Sequence, residues 1–373
     1  MRVLIVPDSF TGTMSASAAA TAISTGWQLS APHDEITAFA ISDGGPGFVD
    51  ALLTNSAFSI VTFEVLDLLG RKILINAAVS DDPVRTYFLE SAQIVGSHLV
   101  RNVIKKPDRY SSFGIGQAIK FAINDGAKKI VIGLGGTASI DAGAGMLSAL
   151  GAEPADELTS GGNGLKSLRN LDLTKPIALI KGIELIVAAD VDVPLLGPRG
   201  AVQGFGAQKG TTPEMQLELE AAIENFRSLI PMRPDGKDPA LMLGAGAAGG
   251  IGFAALAMGA RKVAGFEFVS NAMNLVEHIA AADLVITGEG RFDWQSMQGK
   301  AISQLAQLCL SAGKPLLVLA GQIDVGRREW SAIGVVGTYS CSVDGEIPAN
   351  PAQALSDLAT RVARTFSPTS WQN

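Results

Sequence analysis

The stretch LVITGEGRFDWQSMQGKAISQLAQLCLSAGKPLLVLAGQ, residues 284–322, reads as a strand, a helix and a second strand. Leu284–Thr287 and Leu316–Ala320 are short aliphatic runs closed by glycine, the pattern of buried strands. The first ends in Gly288-Glu289-Gly290-Arg291-Phe292-Asp293 and the second in Gly321-Gln322, with the alanine- and leucine-rich Ala301–Ser311 between them. Strands that alternate with helices in this way specify a parallel sheet with crossover helices. Working outward, the same alternation recurs at the N-terminus. A strand at residues 2–6 leads into a helix at 16–27 with Ser15 as its N-cap, and a strand at 36–41 leads through Asp43-Gly44-Gly45 into a helix at 49–53. A fifth strand at residues 334–339 completes the set expected in one sheet.

The middle of the chain has another texture. Residues 60–66, 73–79 and 85–90 form a meander around the turn signals Leu69-Gly70-Arg71 and Asp81-Asp82-Pro83. Strands follow at Lys129–Gly133 and 184–189, and an amphipathic helix at 212–228 opens with Pro213 in its first turn. The expected fold class is α/β in two domains. A discontinuous Rossmann-like parallel-sheet domain takes residues 1–62 and 281–373, and an inserted mixed α/β domain takes residues 63–280.

A chain of 373 residues, 47% of them apolar, can bury two cores. Its 29 basic and 36 acidic side chains leave a net charge of −7, so no basic field is present to hold a nucleic acid. Two cysteines and three histidines without ligand spacing exclude a disulfide scaffold and a zinc site. The apolar start is cut by Pro7 and Asp8 before a signal-peptide core can form, which makes the cytoplasm the expected location. The uncharged segment 240–260 is built of glycine and alanine and reads as a loop running into a buried helix, with no membrane span. A homo-oligomer is compatible with this composition.

In open α/β sheets ligands bind beyond the carboxyl ends of the strands. Those positions carry Asp8, Ser9 and Gly12, then Asp43, Gly44 and Gly45, then Glu289, Arg291 and Asp293. Acids and a cation converging with helix N-termini on one edge suit an anionic ligand with a metal ion. The inserted region offers Gly135, Gly136, Thr137 and Ser139 ahead of Asp141, a turn whose N–H groups and hydroxyls can hold an anion. Asp190 and Asp192 direct two carboxylates the same way from a strand end, which suits Mg²⁺ or a base beside a metal. Lys209, Arg291 and Lys300 supply positive charge.

The plainer reading makes the glycine turns only turns, Asp8 and Asp43 helix caps, and Glu289 a surface partner of Arg291. Gly244-Ala245-Gly246-Ala247-Ala248-Gly249, after a short strand at 240–243 and with Glu267 downstream, matches a dinucleotide fingerprint and keeps a nicotinamide-linked dehydrogenase as a third reading. No Walker sequence is present, so any ATP site is built without a P-loop.

The motifs accumulate in one order: Pro7-Asp8-Ser9-Phe10, Ser42-Asp43-Gly44-Gly45, residues 133–147, and Asp190-Val191-Asp192-Val193-Pro194-Leu195-Leu196-Gly197. Gln208-Lys209-Gly210-Thr211-Thr212-Pro213-Glu214-Met215, residues 244–250, and residues 283–293 followed by Gly299-Lys300-Ala301 continue the series. Over nearly its whole length the chain resembles the bacterial type I glycerate kinases. The resemblance implies phosphorylation of D-glycerate by ATP, usually on the 2-hydroxyl, with Mg²⁺, in a two-domain enzyme that closes over its substrates. It implies Asp190 as base and Asp192 as metal ligand, or the reverse. Arg291 and Lys300 would hold phosphate or the glycerate carboxylate, and Gly135, Gly136, Thr137 and Ser139 would donate to phosphate. Asp8, Ser9, Asp43, Gly44, Gly45, Lys209, Glu289 and Asp293 complete the expected substrate and nucleotide site.

The chain also departs from that pattern. Thr11 stands for a lysine, Pro46 for a glutamate, Ile140 and Val193 for asparagines, and Trp294 and Gln298 for a smaller residue and a histidine. Removing a lysine beside a bound anion costs about 1.5–3 kcal/mol. Two alternatives follow: a kinase for another small hydroxy acid, in a pocket reshaped by Ile140, Val193 and Trp294, or a non-catalytic protein that holds a nucleotide or sugar acid. The retained acids Asp43, Asp190, Asp192, Glu289 and Asp293 favour activity.

Overall fold

Leu284–Thr287 and Leu316–Ala320 are adjacent parallel strands with the helix Ala301–Ser311 between them in the chain. Every residue of both strands is buried, which is why they read as unbroken apolar runs. The sheet runs Val335–Ser340, Leu316–Ala320, Leu284–Thr287, Arg2–Ile5, Glu35–Ala38, all parallel. Its switch point lies between Arg2–Ile5 and Leu284–Thr287, where the strand order turns in opposite directions. This computed structural model describes residues 1–10, 12–297, 299–342 and 348–368; Thr11 and Gln298 lie outside the described residues.

The strand expected at residues 36–41 ends at Ala38. Phe39 and Ile41 still donate to the carbonyls of Ile5 and Pro7, but Pro7 has no N–H to return the bond and the ladder stops.

The chain divides into two compact units, one of residues 1–43, 50–56 and 266–373, the other of residues 44–49 and 57–265. These boundaries differ from the expected breaks at 62 and 280. Ser59–Leu66 pairs along its whole length with Lys72–Ser80, and a break at 62 would cut that ladder. At the other end, the helix Leu275–Ala281 packs against Arg2–Ile5 and Ala301–Ser311 of the first unit.

Side chains alternate across the first unit's sheet. Val3, Ile5, Leu284, Ile286, Leu317 and Leu319 face a layer formed by the helices Ala16–Ser30 and Pro351–Phe366, where Ile23, Trp27, Leu355 and Leu358 are buried. Ser15 caps the first helix by accepting from the Ala18 N–H, and Asn350 caps the second by accepting from Gln353. The two meet at Gly26, where a Cβ would stand 2.0 Å from the Ser356 carbonyl oxygen.

In the second unit a six-stranded sheet keeps sequence order. Ser59–Leu66, Lys72–Ser80 and Thr86–Glu90 are antiparallel, and Lys129–Gly133, Glu184–Ala188 and Arg261–Val263 continue parallel. The helix Pro213–Leu229, capped by Thr212, turns Leu219, Ile223 and Phe226 inward, and Phe226 meets Phe253 edge to face.

Residues 240–243 do not form the expected strand. Asp238 accepts from the Ala240 N–H and closes a 3₁₀ turn at Pro239–Leu241. The glycine fingerprint therefore lacks the strand that would aim it at a pyrophosphate, and the dehydrogenase reading loses its structural context. The helical segment Ala247–Ala257 follows, broken by left-handed backbone at Ala248, Gly249 and Gly250, with Ile251, Phe253 and Leu256 fully buried. Among the described residues no helix is long and apolar enough to cross a membrane.

Candidate active site

The carboxyl ends of the two switch-point strands are zipped together. Asp8 N–H donates to the Gly288 carbonyl at 2.8 Å, continuing the bond from Val6 to Ile286. The turn after Leu284–Thr287 is in turn zipped to the turn after Leu316–Ala320, with Gly321 N–H on the Glu289 carbonyl and Gln322 N–H on the Gly290 carbonyl, both at 3.0 Å. Glycine is required for this approach: a Cβ on Gly288 would stand 2.2 Å from the Leu319 carbonyl oxygen. The short parallel pair Arg291–Phe292 and Gln322–Ile323 extends the zipper and fixes where Arg291 starts.

A cavity of about 350 Å³ opens at this edge. Its polar wall carries Ser9, Glu289, Arg291, Asp293 and Lys300, and Phe10, Met14 and Cys341 contribute an apolar wall. Burial pushes the Glu289 carboxyl up to about 7; Asp293 and Asp43 push the same way, while Ser296 and the Lys300 ammonium pull it down. Among the described residues Glu289 Oε1 is buried without a hydrogen-bond partner. Asp8 is held well above the usual carboxylate range, first by burial and then by Asp43, although its Oδ1 accepts from the Ser9 N–H at 2.6 Å. Lys300 occupies the N-cap position of Ala301–Ser311 and reaches Gln295 Oε1 at 3.2 Å.

Two of the plainer expectations for this edge, those for Asp8 and for Glu289 with Arg291, fail. The helix Ala16–Ser30 is capped by Ser15, leaving Asp8 free of that task. Arg291 pairs with Asp324 through Nε at 2.5 Å, and not with Glu289. Asp293 closes its own turn by accepting from the N–H groups of Gln295 and Ser296.

In the second unit, Gly44 takes a positive φ and approaches the Ala188 carbonyl, where a Cβ would lie at 2.6 Å. Gly135 and Gly136 pack against Gly45 and Pro46, so close that a Cβ on either would come within 2.6 Å. Pro46, a departure from the resembled pattern, therefore covers Gly136. The 44–49 segment is anchored by Glu90, whose carboxylate accepts from the N–H groups of Gly47 and Val49, each at 3.1 Å.

Lys209 is buried and donates to Thr137 Oγ1 at 3.2 Å and to the Ser139 carbonyl at 2.9 Å. Burial pushes its ammonium down to about 8, against the pull of Asp141. Asp141, fully buried, accepts from the N–H groups of Ser112, Gly143 and Gly145 and from Ser112 Oγ. Burial still raises its carboxyl above the ordinary value despite these donors. Ser139 Oγ is buried beside them without a partner.

Asp190 and Asp192 are committed to different groups. Asp190 Oδ1 accepts from the Gly265 N–H at 2.7 Å, and the exposed Asp192 pairs with the Lys262 ammonium. Among the described residues no three acidic, histidine or cysteine side chains are gathered as a metal cage. Mg²⁺ bound for phosphoryl transfer needs only one or two carboxylates beside phosphate oxygens and water.

The sequence reading missed Glu90, Lys262 and Asp324. Each acts through a partner distant in the chain, and the one local signal is Glu90's position as an acid ending an apolar strand. Of the apolar departures, Ile140 is 0% exposed within the second unit's core, Val193 is buried, and Trp294 is 58% exposed.

A doubly wound sheet with acids and cations gathered at its switch point, and no P-loop, is the framework of an α/β kinase. The chain belongs to the glycerate kinase family, whose model matches residues 3–367. It is 38% identical to a glycerate 2-kinase of Escherichia coli, over 92% of this chain and 91% of that protein. It is 34% identical to a glycerate kinase of Bacillus subtilis over 98% and 97% of the two chains. The crystal structure of a putative glycerate kinase 2 from Salmonella typhimurium superposes with a TM-score of 0.78 at 34% identity, covering 98% of both chains.

Proposed function

We propose that this kinase transfers the terminal phosphoryl group of ATP to the 2-hydroxyl of D-glycerate, giving 2-phosphoglycerate. The observation that carries the reading is the 38% identity to the E. coli glycerate 2-kinase, which extends over 92% of this chain. The chemistry of the residues supports it. Phosphoryl transfer is catalysed by positioning and by positive charge on phosphate oxygens, and Arg291 and Lys300 line one cavity with Glu289 and Ser9. Their part is to hold the substrate carboxylate or the transferred phosphoryl group. Asp8, Asp43 and Asp293 set the charge around them. In the second unit the Gly44-Gly45 and Gly135-Gly136 turns, with Thr137, Ser139 and Lys209, are proposed to seat phosphate. Mg²⁺, held by Asp190 and Asp192, neutralises the nucleotide's charge when bound. An ATP-consuming reaction on a small acid belongs in the cytoplasm, and the proposal extends to that compartment.

The test is ADP release by the purified protein with ATP, Mg²⁺ and D-glycerate, with phosphorus NMR of the product. Glycerate-dependent release with a phosphorus signal coupled to the C2 proton is expected. Phosphate on C3 overturns the position, turnover only with another hydroxy acid overturns the substrate, and ligand binding without ADP overturns the kinase reading.

A further inference from the structure

The acids around the first unit's cavity are not equally occupied. Asp293 is spent on two backbone N–H groups of its own turn, and Asp324 holds Arg291 and the Gln322 amide. Asp8 accepts from Ser9, and the cavity is lined by Ser9 and Glu289 at that point. Among the described residues, Glu289 is the one of these acids that lines the cavity and also has a buried carboxylate oxygen, Oε1, without a hydrogen-bond partner. An unsatisfied buried acceptor is costly and calls for an explanation, and a carboxyl perturbed by burial and charge beside a cleft is a candidate for chemistry.

Lys300 and Arg291 line the same cavity, so an anionic substrate held there presents its hydroxyl in the neighbourhood of Glu289. A general base must lie within hydrogen-bond reach of the proton it takes and must ionise near the working pH. The charged groups that face Glu289 are Asp8, Asp43, Asp293 and Lys300. Burial, aided by Asp293 and Asp43 and opposed by Ser296 and Lys300, raises its carboxyl to about 7, where it can both accept and release a proton.

We propose that Glu289 is the catalytic base of the phosphoryl transfer, accepting the substrate's hydroxyl proton on its carboxylate. The hydroxyl oxygen forms a bond to the terminal phosphorus of the nucleoside triphosphate as the bond from that phosphorus to the bridging oxygen breaks. The nucleoside diphosphate leaves with that electron pair, and the proton passes from Glu289 to water. Asp190, fixed by the Gly265 N–H, then keeps a part in holding the ion that accompanies the nucleotide. This inference rests on the proposed kinase function.

The experiment is the pH profile of kcat and kcat/KM between about pH 5.5 and 9, for the wild-type chain, Glu289→Gln and Asp43→Asn, with D-glycerate affinity measured by calorimetry. The wild-type profile should rise with pH through about 7. Glu289→Gln should lower kcat by roughly 10²–10⁴-fold, remove that rise, and keep glycerate affinity within a few-fold. Asp43→Asn should move the rise to lower pH, because one neighbouring negative charge is gone. A Glu289→Gln enzyme with near-normal kcat, or with a loss confined to KM, overturns the proposal. Should that variant not fold, a wild-type profile without a rise near pH 7 overturns it equally. Absence of turnover in the wild-type chain overturns the kinase reading and the proposal with it, so the two failures are told apart.

Discussion

Glu289 in the first unit and Lys209 in the second are both charged groups taken out of water, but their surroundings treat them differently. Lys209 is tied to Thr137 and Ser139 and opposes the buried Asp141, which itself takes four hydrogen bonds. Glu289 faces further acids across a cavity and keeps one oxygen unpaired. Burial alone does not mark a reactive group. What separates the two is whether the protein itself supplies the partners.

The comparison can be broken most forcefully at Asp141. Asp141→Ala strips the donors of Ser112, Gly143 and Gly145 of their acceptor and leaves Lys209 without a nearby opposite charge. Urea unfolding should report a loss of about 3–5 kcal/mol. A loss below about 1 kcal/mol would show that the second unit does not depend on this buried charge.

Next in size is the backbone zipper. Gly288→Ala drives a Cβ into the Leu319 carbonyl and should cost about 1–3 kcal/mol while lowering kcat. Gly26→Ala meets the Ser356 carbonyl just as closely but lies at the crossing of two helices, and should destabilise without changing kcat of the folded fraction. Equal effects on kcat would contradict the placement of the site at the switch point.

Stability against pH sharpens the contrast because the two groups act in opposite windows. Glu289 ionises near 7 when folded and near 4.5 ordinarily, so its contribution is full below pH 4.5 and is lost as the pH rises through 7. Lys209, near 8 when folded against an ordinary 10.5, contributes above pH 10.5 and loses that contribution as the pH falls through 8. Urea midpoints across pH should therefore show Glu289→Gln flattening only the acid window and Lys209→Met only the alkaline one. The smallest effect is expected at the exposed Arg291–Asp324 pair. Asp324→Asn should change stability by less than about 1 kcal/mol, yet alter the KM of the anionic substrate by freeing Arg291, as steady-state kinetics will report.

Much of the first unit was legible because its three central strands are buried on both faces and announce themselves as aliphatic runs. All five share one sheet, as expected, and Ser9, Glu289, Arg291 and Gln322, from the turns after three of them, line one cavity. Where the reading slipped, a local chemical detail decided. Pro7 shortened the second strand by withholding one N–H, and Asp238 with Pro239 made a turn where an apolar run suggested extension. The site was legible as a set of residue types, but not as a set of partners. Arg291 found Asp324, Asp192 found Lys262, and Glu90 found Gly47 and Val49 across separations of 33, 70, 43 and 41 residues. Side chains that meet only after folding leave no spacing to read. Ile140 and Val193 looked like pocket substitutions because their neighbours in sequence are polar, but both turn into packed surroundings.

The first unit is assembled from both ends of the chain, and this sets the order of events during synthesis. Arg2–Ile5 leaves the ribosome early but pairs with Leu284–Thr287, about 280 residues later. At roughly 5–20 residues per second the wait is on the order of tens of seconds. All six strands of the second sheet, residues 59–263, emerge within that interval and can pair first. Meanwhile the N-terminal strand and the helix bearing Trp27 stand without the sheet and helix that will cover them. The nascent chain therefore carries an uncovered apolar segment through most of its translation, and that segment is where a holding chaperone has the most to protect.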